Sequence, residues 1–547
     1  MEPVDNTMGG TAASQVRGRW AMMYSTVLLV GFGLLYVLTR PDSLISDGES
    51  WVTEARLGDP SRFAYALPSY FLQIPLAGAA WRLLHAVGLS VSVQTVFLSF
   101  SLAGTLAAMV FVGLIAGEIL QRRDAAWLAA ILFGASLNPW TQWNGELSGL
   151  AVGFVAAGLY FALRGRIVLP ASLWALSVLS QSNFVLATPT FVVAVWMGRP
   201  RQERTLVTLR RAASLLVLAG TSSLLFFLVG SWAFGKWRDV ASLTEWVMRF
   251  FRMADRNVLR SPEVFRAIKG LLTAHTAAGH YWRDILSGRG AFDNPLFLPA
   301  AAIGLVLLVM TMVFLVAAAW QRRLALFALS WLLPFHVLFN WWWVPADEEY
   351  HTGGLPGFLL LVTAGLVYLG SRMPARRRYT LYAGYAALCM GLNLVTVILP
   401  RQPLAADIAR AGLDIRRLNE EQGGRAVLVT CDGGNVEAVE SAGIEYLRIR
   451  SIWKGSVPDI QHAILSWTQD RVAEGKTAYL LDRWCRPEDW RTEWSKQPFD
   501  LHFLESNFQL VPTRIVGVPV AQPSVTDPFT WRRADVVRLD SRAGTSR

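Results

Sequence analysis

The chain has 547 residues, 53% hydrophobic and 17% charged, with a formal net charge of +11 and a mean hydropathy of +0.35. That balance excludes a soluble enzyme. It does not point to nucleic acid either, because the arginines cluster between apolar runs. The three cysteines, Cys389, Cys431 and Cys485, make no metal spacing.

Apolar runs of spanning length recur from about residue 21 to 399. A short tail, 1–20, carries Arg17 and Arg19, and the run behind it lacks a small-residue cleavage site, so it reads as a retained first span over 22–39. Cations of short loops stay on the cytoplasmic side, so arginine clusters set the topology. The clusters are Arg17/Arg19, Arg122/Arg123, Arg164/Arg166, Arg199 to Arg211, Arg322/Arg323 and Arg372 to Arg378. An even number of spans between neighbouring clusters puts all six inside. Spans near 22–39 and 92–120 then bracket an outer loop, 40–91, holding "SDGESW" with Asp47 and Glu49, then Glu54, Arg56, Asp59 and Arg62. Within it, 66–90 is interrupted by two prolines, Arg82 and His85, and reads as a helix lying along the outer interface.

Spans near 124–137 and 147–164 bracket "NPWTQWNGE", 138–146, with Glu146. Residues 167–197 are long for one span and short for two; with arginine at both ends and "SQSN" in the middle they read as a short hairpin with its polar tip outward. Spans near 213–230 and 296–320 bracket a long loop, 231–295, with ten Lys or Arg against six Asp or Glu. Its Arg249, Arg252, Arg256, Arg260 and Arg266 read as spaced charges on amphipathic helices, which either grip a phosphate at the lipid surface or adhere to anionic headgroups. Spans near 324–341 and 354–371 bracket 341–353, with Asp347, Glu348, Glu349, Tyr350 and His351. Trp140, Trp143 and Trp341 to Trp343 read as interfacial anchors, with sugar holding beside the carboxylates as the alternative. His275, His280 and His351 share no ligand spacing. Cys389, in an apolar run, reads as plain packing. A final span near 379–399 carries the chain from 401 onward to the outside, giving about 11 spans in all.

From 401 to 547 the pattern changes. "GRAVLVTCDGG" reads as a buried strand into a glycine turn, and "NVEAVESAG" as a short helix. "IEYLRIRSIW", "DIQHAILSWTQDRVAEG", "TAYLLDRW" and "EDWRTEWSKQ" continue the alternation. This predicts a soluble, extracytoplasmic α/β domain with a mainly parallel sheet. No phosphate-binding glycine fingerprint is present, so a nucleotide site is not expected. Asp432 reads as a loop cap, with an acceptor contact as the alternative. Cys431 and Cys485 could pair if the domain is exported.

The order of these parts resembles a family. A first span precedes an outer loop with a D-x-E pair, then "LPSYFLQIPLAGAAWRLLHAVG", then a span ending in arginines. "AAWLAAILFGASLNPWTQWNGELSGLAVGFVAAGLYFAL" comes next, with a proline and an acidic residue at its outer turn, and later "EEYHTGGLPGFLLLVTAGLVYLG". Over roughly residues 20–400 this is similar to the GT-C class of integral-membrane glycosyltransferases, which includes protein O-mannosyltransferases and aminoarabinose transferases. The fold implied is a polytopic α-helical membrane protein with a C-terminal soluble α/β domain.

The resemblance implies transfer of a sugar, hexosyl or pentosyl, from a polyprenyl-phosphate donor to an acceptor hydroxyl on a glycan, lipid or protein, at the outer face of a bacterial-type inner membrane. It implies a first-loop carboxylate as general base, Asp47 or Glu49, because a hydroxyl is a weak nucleophile near neutral pH. Glu146 is implied as a second acidic contributor. The departing phosphate wants fixed positive charge, which Arg56, Arg62, Arg256 and Arg260 could supply. Asp347, Glu348, Glu349, Tyr350 and His351 are candidate substrate contacts. Some members of the class bind a divalent ion through such carboxylates; the sequence leaves that open here, as it leaves the choice between Asp47 and Glu49, because a glycine separates the pair. The rival expectation is a transporter or scaffold for a lipid-linked or polar substrate. It is disfavoured by spans nearly free of ionisable residues, Glu118 and His336 excepted, and by the absence of an evident repeat.

Overall fold

The computed structural model describes residues 8–39, 72–141, 148–199, 203–233, 237–245, 248, 262–277, 297–342, 351–399, 404–430, 443–448, 457–481, 506–518 and 532–541. They fall into two compact units, one of helices up to Leu399 and one from Pro400 onward.

The first unit comprises α1 (Met8–Leu38), α2 (Gln73–Ala86), α3 (Val93–Leu120), α4 (Arg123–Ala135), α5 (Leu137–Thr141), α6 (Ser148–Leu163), α7 (Val168–Ser180), α8 (Thr188–Met197), α9 (Thr205–Ala233), α10 (Val264–His275), α11 (Phe297–Ala318), α12 (Arg322–Phe335), α13 (Leu355–Ser371) and α14 (Ala375–Asn393). Every predicted span region holds a helix. Among the described residues five helices are long and apolar enough to cross a membrane by length and composition, and five further apolar helices are shorter. α1 starts at Met8, inside the predicted tail. α2, at 14 residues, falls short of the roughly 20 that a crossing takes.

Local chemistry explains several helix ends. Ser92 caps α3 by accepting the Thr95 amide at 3.0 Å, and Gln121 closes it in the left-handed region at φ 54°. Pro356 stands in the first turn of α13, where no amide is needed, which gives the "LP" of the sequence a structural role. Pro334 sits inside α12 and withholds an amide from the Ser330 carbonyl. The Thr190 hydroxyl donates to that carbonyl instead, at 2.9 Å. Two residues later the helix widens into a π turn, His336–Asn340.

Close packing relies on small residues. A Cβ on Gly153 of α6 would stand 2.6 Å from the Gly104 carbonyl oxygen of α3, and one on Gly104 would collide with the Leu150 backbone. The predicted hairpin is present. Trp174 of α7 stacks on Phe191 of α8 with centroids 4.9 Å apart, which a continuous helix could not achieve across that many residues. Gly198 after α8 comes so near α6 that a Cβ there would meet the Leu163 carbonyl oxygen at 2.5 Å.

Arginine pairing defines one end of this unit. Arg122 makes a two-point bond to Asp124 at 2.9 and 2.6 Å, and Arg378 Nε lies 3.8 Å from the same carboxylate. Arg164 pairs with Glu118 at 3.1 Å, and Arg211 bonds both Glu203 and the Gly165 carbonyl. Trp320, just before Arg322, stacks on Tyr368, whose ring also carries the Arg372 guanidinium. Tyr24 of α1 donates to the Ala126 carbonyl near the same end. These partly exposed pairs add at most about 1 kcal/mol each. Their value lies in showing that clusters far apart in sequence share one end.

The second unit holds α15 (Leu404–Glu421), β1 (Ala426–Thr430), β2 (Glu445–Arg448), α16 (Val457–Ala473), β3 (Thr477–Leu481), β4 (Phe508–Val518) and β5 (Arg532–Ser541). The strand order is β2-β1-β3-β5-β4. β1 pairs parallel with β2 and β3, whereas β5 pairs antiparallel with β3 and β4. The sheet is therefore mixed rather than mainly parallel. The predicted strands over "AVLVT", "EYLR" and "TAYLL" are found; β4 and β5 were not anticipated, and the predicted "NVEAVESAG" and "EDWRTEWSKQ" elements, with Cys431, Asp432 and Cys485, lie outside the described residues.

Candidate active site

The end of the helical unit opposite the arginines is polar and buried. Trp140 of α5 donates its indole hydrogen to Thr39 Oγ1, at the end of α1, at 3.0 Å. Asn138 Nδ2 donates to Thr352 Oγ1 at 3.0 Å. Trp331 of α12 donates to the Gly353 carbonyl at 2.9 Å, and the Glu263 amide, before α10, donates to the Trp341 carbonyl at 2.9 Å. Polar groups from four distant parts of the sequence thus converge here.

Below them runs a second network. Ser136 Oγ donates to the Leu132 carbonyl at 2.7 Å and lies 2.9 Å from His275 Nδ1. His275 Nε2 lies 3.0 Å from the Tyr385 hydroxyl, which in turn meets Thr311 Oγ1 at 2.7 Å. Asn393 completes the lock: its Oδ1 accepts the Ala277 amide at 2.8 Å, and its Nδ2 donates to the Ala135 and His275 carbonyls at 2.9 and 3.1 Å. Burial pushes the His275 imidazole down to about 3. A neutral, fully bonded histidine is a structural tie between α4, α10, α11 and α14. Cys389 belongs to it as well, with Sγ 3.7 Å from His275 Nε2, rather than to plain packing.

A third group is less satisfied. On the π turn, Asn340 Nδ2 lies 2.8 Å from His351 Nδ1, and the His336 and His351 ring centroids are 5.9 Å apart. His336 Nδ1, Asn340 Oδ1 and Trp341 Nε1 are buried atoms with no hydrogen-bond partner. Leaving such an atom unpartnered costs about 1–3 kcal/mol, so three within six residues ask for a ligand.

His336 also opens onto a cavity of about 390 Å³ between α10, α11, α12 and α13. Among the described residues lining it, such as Leu271, Leu315, Leu329 and Phe358, His336 is the single polar one. The groove follows α12 from Ala325 to His336, about 16 Å at 1.5 Å per residue.

Of the predicted site residues, His351 is placed: it is fully buried in this polar end. Asp47, Glu49, Arg56, Arg62, Glu146, Arg256, Arg260, Asp347, Glu348, Glu349 and Tyr350 lie outside the described residues. The described residues that flank their segments, Thr39, Thr141, Ser148, Trp342 and His351, belong to elements gathered at the polar end. Arg266, on the same loop as Arg256, pairs with Glu263 at 2.9 Å. Among the described residues no group of three or more His, Cys, Asp or Glu side chains is placed to hold a metal ion.

Two expectations are corrected. Residues Asn138 to Trp140 are not an exposed turn: they are a buried helix, α5, because the Asn138 amide and the Trp140 indole both find interior partners. Trp140 is accordingly no interfacial anchor; it is 4% exposed and packs edge-on against Tyr36 at 5.0 Å. Sequence reasoning noted His275 and His336 without giving either a site or scaffold role, and passed over Asn340 and Asn393. The available signal was a polar side chain inside an apolar run, which is expensive to keep and therefore informative.

Neither a protein-family model nor a curated protein sequence matches the chain. Solved structures do. The crystal structure of ArnT from Cupriavidus metallidurans bound to undecaprenyl phosphate is similar, with a TM-score of 0.50 and 14% identity, over 95% of this chain and 98% of that one. The archaeal oligosaccharyltransferase AglB from Archaeoglobus fulgidus, in complex with an inhibitory peptide and a dolichol-phosphate, matches at 0.46 and 11%, over 94% of this chain and 74% of that one. The likeness to the first extends over nearly the whole chain, and the fold is the GT-C fold that the loop and proline order resembles.

Proposed function

We propose that this chain is a membrane glycosyltransferase that moves a sugar from a polyprenyl-phosphate carrier to an acceptor hydroxyl, of a glycan, a lipid or a protein, at the outer face of a bacterial-type inner membrane. The observation that carries the reading is the apolar groove along α12, with His336 at its polar end. An isoprenoid chain offers only apolar surface, so a long groove without polar lining is what would hold it, at about 25 cal/mol per Å² buried. A groove of that kind ending in buried polar groups suits a molecule with an apolar tail and a polar head. The fold shared with a protein crystallised with undecaprenyl phosphate supports the same carrier class.

In this reading the arginine-rich end is cytoplasmic, with the N-terminus, and the polar end and C-terminal unit, 401–547, are extracytoplasmic. The acceptor oxygen attacks the sugar C1, the C1–O bond to phosphate breaks, and its electron pair leaves on the carrier phosphate. The acceptor proton passes to a carboxylate of the first outer loop, Asp47 first and Glu49 next. Arg56, Arg62, Arg256 and Arg260 balance the charge left on the phosphate. Glu146, Asp347, Glu348, Glu349 and Tyr350 contact sugar or acceptor, buried His351 holds the edge of their segment through Asn340, and the C-terminal unit is an accessory for acceptor binding. No step is assigned to a metal ion.

The test is a transfer assay in membranes with polyprenyl-phosphate sugars, comparing wild type with Asp47→Asn, Glu49→Gln and the double variant. Transfer by wild type and its loss in the double variant are expected. Absence of transfer from every such donor overturns the function, whereas full activity in all three variants overturns the base assignment alone.

A further inference from the structure

The groove explains where an apolar tail would lie and leaves open what meets the head. The π turn His336–Asn340 stands where the groove ends. α-Helices widen in this way rarely, and often at functional sites, because the change of register re-aims side chains. Here it comes after Pro334, and the residues it presents are the ones without partners. His336, 8% exposed, has a buried ring nitrogen with nothing to bond, and Trp341 Nε1, on the residue after the turn, is a buried donor in the same state. Their rings meet edge-on, with centroids 6.2 Å apart. Asn340, 1% exposed, spends its amide nitrogen on His351 and keeps a buried oxygen free.

We infer that the π turn and Trp341 form the headgroup subsite of the groove, with His336 and Trp341 donating to the carrier phosphate and Asn340 Oδ1 accepting from a sugar hydroxyl. The inference rests on the polyprenyl-phosphate reading above. Two donors suit an anion that only accepts, and the one amide oxygen suits a hydroxyl that donates. A phosphate held by an imidazole in a site screened from water gains a charge-assisted hydrogen bond, the stronger kind. In this subsite His336 supplies that bond through Nδ1, the ring atom left without a partner. The alternative, that the three atoms are bridged by water alone, makes a different prediction for binding.

The experiment uses the full chain in nanodiscs and measures binding of undecaprenyl phosphate and of undecaprenol, the same chain without the phosphate. Wild type should prefer the phosphate. His336→Phe keeps an aromatic volume in an apolar groove and removes an unpartnered nitrogen, so it should fold at least as well. It should also lower affinity for the phosphate by about tenfold or more while leaving the alcohol unchanged. A phosphate preference in His336→Phe equal to that of wild type overturns the subsite. Leu329→Trp, which fills the groove, should weaken both lipids alike. If wild type binds neither lipid, the carrier reading itself fails, and that result is distinct from an unchanged preference.

Discussion

Asn340 and His351 are joined at 2.8 Å across the segment 343–350, tying the end of α12 to the residues that lead into α13. Both are buried, so the bond is made without competition from water. It holds the two edges of the segment that carries Asp347, Glu348, Glu349 and Tyr350. Replacing His351 by Ala leaves the Asn340 amide with both ends unsatisfied. We expect a loss of about 1–3 kcal/mol in stability and a fall in transfer rate of tenfold or more. Thermal unfolding in detergent and the transfer assay measure the two; an unchanged rate alongside lowered stability would assign His351 to scaffold alone.

His275 gives a pH dependence with a definite sign. In the folded protein it stays neutral down to about pH 3, whereas the unfolded chain takes up the proton below 6.5. Between those values the unfolded state binds more protons, so stability is full above pH 6.5 and falls as pH drops, by about 1.4 kcal/mol per unit. At pH 5 the loss is about 2 kcal/mol. Comparing Tm at pH 7.5 and pH 5 in wild type and His275→Gln should show a smaller drop in the variant; equal drops would contradict the buried neutral histidine.

Thr190 and Ser330 make a prediction that turns on Pro334. Thr190→Val removes the hydroxyl that serves the Ser330 carbonyl, at a cost of about 1–3 kcal/mol. Pro334→Ala returns an amide to that carbonyl. The loss from Thr190→Val should therefore shrink in the Pro334→Ala background, and a double-mutant cycle on Tm reads the coupling. Additive effects would mean that the carbonyl never lacked a partner.

The α3–α6 contact predicts a sharp difference between glycines. Gly153→Leu would drive a side chain against the Gly104 backbone, which cannot move aside as a side chain can, and should cost upward of about 3 kcal/mol. Gly220 of α9 has nothing within 4 Å, so Gly220→Leu should be tolerated. The yield of monodisperse protein on size exclusion distinguishes them.

Much of the helical unit was legible because apolar runs of spanning length and arginine clusters are local properties. The arginine parity required Arg122, Arg164, Arg211 and Arg378 to share a side, and their pairing with Asp124, Glu118 and Gly165 puts them at one end. The hairpin at 167–197 could be read from length and flanking charge. β4 and β5 escaped notice because antiparallel edge pairing of "FQLVPTRIVGV" with "RRADVVRLDS" is a match between two segments rather than a pattern within either.

The residues of the polar end were a different matter. Asp47, Glu49 and the late acidic loop drew attention because exposed carboxylates between spans are visible in a linear reading. Asn340 and Asn393 did not, and His275 and His336 were noted without a role, since a single polar residue in an apolar run looks the same whether it is bonded, orphaned or facing a ligand. By itself the sequence determined which segments are apolar enough to bury, which ends carry positive charge and the order in which spans alternate with loops. Only the tertiary structure decided that Trp140 turns inward, that His275 is tied to Ser136 and Tyr385, and that His336 stands unpartnered at the end of an apolar groove. Hydropathy is a sum over neighbours in the chain, whereas hydrogen-bond satisfaction depends on atoms brought within about 3 Å from more than a hundred residues away.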